Sequence, residues 1–312
     1  MKYREFAGKK ASVIALGCDS FGGSRDPAQT AEFLDHYTEA GGNFLDTARI
    51  YGGFRSESYI GMWLSKRHDR DELIIGTKGG HPAFNTMHIG RLDRASLTDD
   101  FERSIDSLGT YADIYWLHRD DKSREVGDIL ETLNGFYESG KARSFGVSNW
   151  DPERIAEANE YAAAHSLVGF AANQPQFSLA AKHVEHDTTM RHMDDKAYSF
   201  HLKTGMPCVP YSPQAKGFFN KLDTLGPDNL PGGLKHDFCN EENIEIFKKL
   251  QKLRDETGCS IAQLGVIYLL CQPFDTYPIV GASSFEQLDE TLSCADAELD
   301  RDSVLELRSW NV

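Results

Sequence analysis

The pattern that most constrains this chain is an alternation. Short, almost wholly apolar runs are separated by longer stretches of helical spacing. The runs fall at residues 12–16, 43–47, 73–78, 113–118, 144–148, 169–174, 208–211 and 277–280. Runs of that length with few polar interruptions are what strands buried on both faces look like. The helical stretches carry start and stop signals. Asp26-Pro27 sets an N-cap residue before a proline at the first helical position, and Gln29 completes a capping box. Asp151-Pro152 repeats that start, and Ser260 caps "SIAQLGVIYLLCQP". "EIFKKLQKLRDETG" keeps apolar residues at 246, 247, 250 and 253 and stops at Gly258. Eight strands, most followed by a helix, predict a parallel sheet. In 312 residues they match a single (β/α)8 TIM barrel domain of the α/β class, spanning 1–312, with a short N-terminal β-hairpin and extra helices. A doubly wound sheet is the runner-up. Its G-x-G-x-x-G fingerprint is missing, since no two of the 27 glycines stand two positions apart.

A parallel barrel carries its site at the C-terminal ends of the strands. Here the second run ends in Asp46-Thr47, the third in Thr77-Lys78 and the fourth in His118. The fifth, sixth and seventh end in Ser148-Asn149, Asn173-Gln174 and Tyr211-Ser212. Each has a bland reading: an Asp that caps a turn, a solvated Lys, a His bonded to a neighbour. Jointly, and with Tyr51 five residues after Asp46, they form a connected acid–base set. A tyrosine hydroxyl titrates near pH 10 and gives up its proton poorly unless its anion is stabilised. An adjacent ammonium does that, and a carboxylate holds the ammonium charged. A histidine can orient a substrate oxygen. The set suits protonation of a carbonyl oxygen while a hydride arrives at carbon, and that hydride must come from a cofactor.

At these residues the sequence resembles the aldo-keto reductase family. "NFLDTARIYGGFRSE" is similar to its Asp-Thr-Ala…Tyr-Gly…Ser-Glu signature, "IIGTKGG" to its lysine strand and "DIYWLH" to its histidine strand. "GKARSFGVSNW", "ANQPQFS", "VPYSP" and "PIVGASSFEQLDE" follow in family order. The resemblance implies a catalytic tetrad of Asp46, Tyr51, Lys78 and His118, with Tyr51 the general acid in reduction. It implies that Ser148, Asn149 and Gln174 hold a nicotinamide carboxamide and that Tyr211 stacks on the ring. Ser212, Gly217, Gly281, Ser283, Gln287 and Glu290 would line the pyrophosphate and adenosine path. The implied cofactor is NADP(H), placed ahead of NAD(H), with no metal. The chain departs from the pattern at Thr291, at Gly17-Cys18, and in "GASSFEQ", which offers no Arg or Lys for a 2′-phosphate. Lys216 is the nearest substitute.

Four residues suggest a polar substrate: Arg49, Arg119, Asp120 and, after Asn149, Trp150. A mouth carrying Arg49, Arg119, Asp120 and Asp121 suits a sugar, polyol or keto-sugar, with simple aldehydes an alternative. The competing view of "RDD" is a solvated loop with Asp120 and Asp121 as caps. The connection over 212–240 is Gly- and Pro-rich without helical periodicity, and is expected to be a clasp over the cofactor or a floppy insertion. The connection over 182–205 contains a helix, and its "HVEH" is expected to be surface rather than a metal site. A net charge of −15 disfavours nucleic acid and anionic membranes, so the expected partner is a small-molecule carbonyl or alcohol. No apolar stretch is long enough for a membrane span or signal peptide, and the six cysteines form no C-x-x-C. A cytoplasmic protein with reduced thiols is expected, monomer and homo-oligomer both remaining open. Two other readings stand beside the oxidoreductase: a nicotinamide-binding regulatory subunit, and a cofactor-independent sugar hydrolase or isomerase.

Overall fold

The computed structural model describes residues 1–184 and 186–308; residues 309–312 of the expected domain lie outside the described residues. Strands β1 (Tyr3–Phe6) and β2 (Lys9–Ser12) form an antiparallel hairpin. Its two-residue turn, Ala7-Gly8, has φ of 49° and 76°, the left-handed pair that matches strand twist. Seven parallel strands follow: β3 (Ala15–Gly17), β4 (Phe44–Asp46), β5 (Ile74–Gly79), β6 (Ile114–Leu117), β7 (Phe145–Ser148), β8 (Phe170–Gln174) and β9 (Ile279–Val280). They are ordered β8-β7-β6-β5-β4-β3-β9.

The run at 208–211 lies between the two ends of that sheet but is not a continuous strand. Val209 N–H donates to Asn173 O at 2.9 Å, and Ile279 N–H to Pro210 O at 2.9 Å. Isolated bridges tie Cys208 to Asn173 on one side and to Thr276 on the other. Pro207 and Pro210 have no N–H to give, so the ladder breaks into single bridges while the curled sheet still closes. The result is the expected (β/α)8 arrangement.

The barrel has one plugged end. Phe6 of the hairpin sits 4.9 Å, ring to ring, from both Phe44 and Tyr277. Phe44 opens β4, so the plug covers the N-terminal ends of the strands and leaves the C-terminal ends free. Above it the interior fills with Ile74, Ile114, Ala172, Val209 and the fully buried Trp116. A Cβ on Gly146 would come within 2.3 Å of the Trp116 ring, so glycine there makes the room for the indole.

Helix signals hold where they are strong. Helix Pro27–Glu39 has its Asp26–Gln29 capping box, Glu241–Thr257 ends at Gly258 with φ 73°, and Ile261–Leu270 has the Ser260–Gln263 box. The 212–240 connection differs from expectation. It folds into helices Phe218–Leu225 and Gly232–Phe238, which bury Phe218, Phe219, Leu222, Leu234 and Phe238. Each is too short for periodicity to stand out. Helix Asp195–Thr204 falls within 182–205 as expected. His186 of that connection is exposed, and its Nε2 lies 2.8 Å from Asp237 Oδ1, which also pairs with His236. Among the described residues no helix is long and apolar enough to cross a membrane.

Candidate active site

Asp46 ends β4, and Lys78 sits two residues further up the neighbouring strand, since Asp46 pairs with Gly76. The ammonium therefore rises beside the carboxylate. Lys78 Nζ donates to Asp46 Oδ2 at 2.5 Å, to Thr47 O at 2.9 Å and to the Tyr51 hydroxyl at 3.3 Å. All three ammonium protons thus have acceptors. The other Asp46 oxygen accepts from Gln174 Nε2 at 3.0 Å. Lys78 and Asp46 are 1% and 2% exposed, so this charge pair is almost wholly buried. His118, just past β6, presents its ring edge-to-face with Tyr51 at 5.6 Å.

Tyr51 depends on a tightly turned loop. Arg49 N–H donates to Lys78 O, and Tyr51 N–H to Ala48 O. The next three residues, Gly52, Gly53 and Phe54, all have positive φ. A Cβ on Gly52 would lie 1.8 Å from Phe21 O, so no other residue fits. Ser56 is the first residue of the following helix, whose N-cap position is Arg55. Its hydroxyl donates to Cys18 O at 2.7 Å and meets Thr47 Oγ1 at 2.8 Å, pinning the loop to the ends of β3 and β4.

Burial pushes the Tyr51 hydroxyl above its ordinary value of 10.0; Lys78 pulls the other way and Asp46 adds to the rise. The phenol is therefore protonated at neutral pH. Burial alone would push Lys78 down, but Asp46 and Tyr51 reverse that and hold it above 10.5. Burial raises Asp46, with Lys78 and Gln174 pulling it back. The proton of the pair stays on the lysine, which keeps three hydrogen bonds there. Burial, then Lys78 and Arg119, hold His118 well below 6.5, so its ring is neutral. Its Nδ1 is buried without a partner. The tautomer with hydrogen on Nε2 is favoured, because a sealed Nδ1–H would have nothing to donate to.

These groups wall a cavity of about 690 Å³, within the range of small-molecule sites. Asp46, Tyr51 and His118 line its inner end, with Lys78 behind them. All ten residues expected along a cofactor path also line it: Ser148, Asn149, Gln174, Tyr211, Ser212, Gly217, Gly281, Ser283, Gln287 and Glu290. Several are already interlinked. Asn149, at φ 64°, donates to His118 O and accepts from the Tyr211 hydroxyl at 2.8 Å, while Ser148 donates to Gln174 O.

The four residues expected at the substrate separate. Arg119 lines the cavity, with its Nη1 on His118 O at 2.9 Å. The other three do not line it. Arg49 turns to Glu57 at 3.4 Å and lies over the Phe54 ring. Asp120 pairs with Arg154 at 2.9 Å, and Trp150, 2% exposed, packs against Phe170. Nor is "RDD" a solvated loop: Arg119 and Asp121 are buried, and Asp121 accepts from Ser123. Lining residues absent from the sequence reading include Asp19, Ile50, His81, Leu179, Met190 and Lys221. Asp19 and His81 sit two and three positions past a strand-end residue already singled out, Gly17 and Lys78, so scanning one turn further would have found them.

The family description Aldo/keto reductase family matches residues 13–311. The chain belongs to the aldo/keto reductase family. Among its relatives is norsolorinic acid reductase of Emericella nidulans, 27% identical, the match covering 96% of this chain and 78% of that one. An aryl-alcohol dehydrogenase of Pestalotiopsis microspora is 25% identical over 96% of this chain and 79% of its own. The crystal structure of a thermostable aldo-keto reductase in complex with the inhibitor epalrestat superposes with a TM-score of 0.76, at 23% identity and 98% coverage of both chains. For this reductase-family chain that likeness concerns the fold. The chain is thus an oxidoreductase-family barrel.

Proposed function

We propose that the chain is an NAD(P)(H)-dependent enzyme that interconverts a carbonyl and an alcohol, with Tyr51 as general acid in reduction and general base in oxidation. One observation carries the reading: the buried Lys78 ammonium that bridges the Asp46 carboxylate and the Tyr51 hydroxyl at the cavity wall. A carbonyl oxygen at the inner end meets the Tyr51 hydroxyl and His118 Nε2–H. His118 fixes its angle, and Tyr51 gives the proton. The phenolate left behind is stabilised by Lys78, which Asp46 keeps charged.

The lining suits a nicotinamide dinucleotide. Gln174 spends its Nε2 on Asp46, but among the described residues no donor reaches its Oε1, which is not one of the sealed polar atoms and is free to accept from a carboxamide. At the far end a Cβ on Gly281 would meet nothing within 4 Å, leaving open space beside Ser283. Lys216 and Lys221 bring positive charge to the same wall in a chain of net charge −15. That charge supports a phosphorylated dinucleotide, and on that ground our reading prefers NADP(H) to NAD(H). When bound, the cofactor supplies the hydride.

For the substrate we propose a hydroxylated carbonyl compound with an apolar body. Ile50, Leu179 and Met190 offer apolar wall, and Arg119 and His81 offer polar contacts. Of the four residues that suggested a sugar, only Arg119 lines the cavity, which moves the reading away from a fully polar substrate. Relatives named for norsolorinic acid and aryl alcohols support aryl ketones and aldehydes as first probes. The test is turnover of aryl carbonyls, keto-sugars and polyols with NADPH, with NADH and with neither. We expect turnover only with added nicotinamide, and faster with NADPH. Activity without nicotinamide would favour the hydrolase or isomerase. Cofactor binding with no turnover across the panel would favour the regulatory subunit.

A further inference from the structure

Beside the tetrad stands a second imidazole. His81 lines the same cavity, its ring 4.8 Å from that of His118 and inclined at 71°. Its placement is rigid. The Arg91 guanidinium donates to His81 O at 3.0 Å and is itself held by Asp100, which also accepts from Gly80 N–H. Pro82 follows directly and restricts the backbone further.

The hydrogen-bond pattern fixes which nitrogen does what. His81 Nδ1 lies 2.6 Å from Pro82 O. A carbonyl oxygen only accepts, so Nδ1 carries the hydrogen. Burial, then Arg119, lowers the His81 pKa below 6.5, so at neutral pH the ring is uncharged and Nε2 is a bare acceptor. Among the described residues no donor reaches Nε2, and it is not one of the sealed, unpartnered atoms. With His81 in the cavity lining, Nε2 is left to accept from a ligand there. His118 has the opposite polarity, with Nε2–H outward. Two neighbouring imidazoles, one a donor and one an acceptor, match a carbonyl oxygen and a hydroxyl beside it.

We infer that His81 is a substrate-recognition residue whose Nε2 accepts a hydrogen bond from a hydroxyl on the carbon next to the reacting carbonyl. The ligand class is an α-hydroxy aldehyde or ketone. The inference rests on the proposed role of Tyr51 and His118 in holding the carbonyl oxygen, and it adds the reason for a preference among carbonyl compounds. Phe84, 72% exposed and 5.3 Å from the His81 ring, extends an apolar surface outward from the same point. The rest of the substrate leaves the cavity over it.

The test compares 2-hydroxypropanal with propanal, which lacks only that hydroxyl, using NADPH and the full-length protein. The parent should prefer the hydroxy aldehyde about tenfold in kcat/KM, the size of one neutral hydrogen bond. His81→Phe should bring the ratio close to one, mainly through KM. His81→Gln, which keeps an acceptor oxygen, should recover part of the preference. A merely structural role would lower both substrates together and leave the ratio alone. Equal parental efficiency on the two aldehydes, or an unchanged ratio in His81→Phe, would overturn this inference and leave the oxidoreductase reading standing. No reduction of either aldehyde or of any probe carbonyl would overturn the oxidoreductase reading, and this inference with it.

Discussion

Lys78 is the residue on which the site turns. It donates three hydrogen bonds from a place with almost no water, and two of its acceptors are groups with proton chemistry. Removing it strands the Asp46 carboxylate, and an unpaired buried charge is costly. Lys78→Met should therefore lose about 3–5 kcal/mol in urea unfolding. It should also lose at least about a hundredfold in kcat, because the phenolate loses its cation. Adding Asp46→Asn should return most of the stability and none of the activity. A Lys78→Met variant as stable as the parent would mean that the pair is not a buried ion pair. At this scale the sequence was informative where a polar residue ends an apolar strand, because the strand itself dictates where Asp46, Lys78 and His118 emerge. It was uninformative for Arg49, Asp120 and Trp150. Their directions are set by Glu57, Arg154 and Phe170, partners on other elements that no local pattern reveals.

Among the elements, the loop from β4 to helix Ser56–Leu64 decides whether Tyr51 reaches the ammonium. Gly52 and Gly53 both have positive φ, so alanine at either costs about 1 kcal/mol in backbone strain. They differ in space. At Gly53 the nearest atom to a new Cβ is 3.9 Å away, on the flexible Arg55 side chain; at Gly52 it is a backbone carbonyl at 1.8 Å. Gly52→Ala must therefore shift the loop, and it should cut kcat well beyond Gly53→Ala, which should keep near-parental kcat with a slightly lower Tm. Equal kcat in the two variants would show that the loop's path does not position Tyr51. The elements that misled the sequence reading are instructive. Residues 208–211 look like a strand and occupy a strand's place, but Pro207 and Pro210 reduce them to bridges. Residues 212–240 look unstructured because their two short helices are stabilised by burial of Phe218, Phe219 and Phe238 rather than by their own periodicity.

Over the whole molecule, the hairpin plug gives the barrel a direction. Phe6 closes one end, so every polar strand terminus faces the other, where the cavity runs from Tyr51 to Gln287. The eightfold alternation was legible because buried parallel strands leave continuous apolar runs. The shape of the cavity was not, since it depends on Leu179, Met190 and Lys221, which connections of no clear pattern bring to the mouth. The central proposal is that this arrangement makes Tyr51 the proton donor. Its most direct test is a single-turnover measurement on Tyr51→Phe, following nicotinamide absorbance after mixing with a carbonyl that the parent reduces, alongside a fluorescence titration of NADPH. The proposal predicts parental NADPH affinity and hydride transfer slowed by about a hundredfold or more. Hydride transfer at the parental rate in Tyr51→Phe would contradict it.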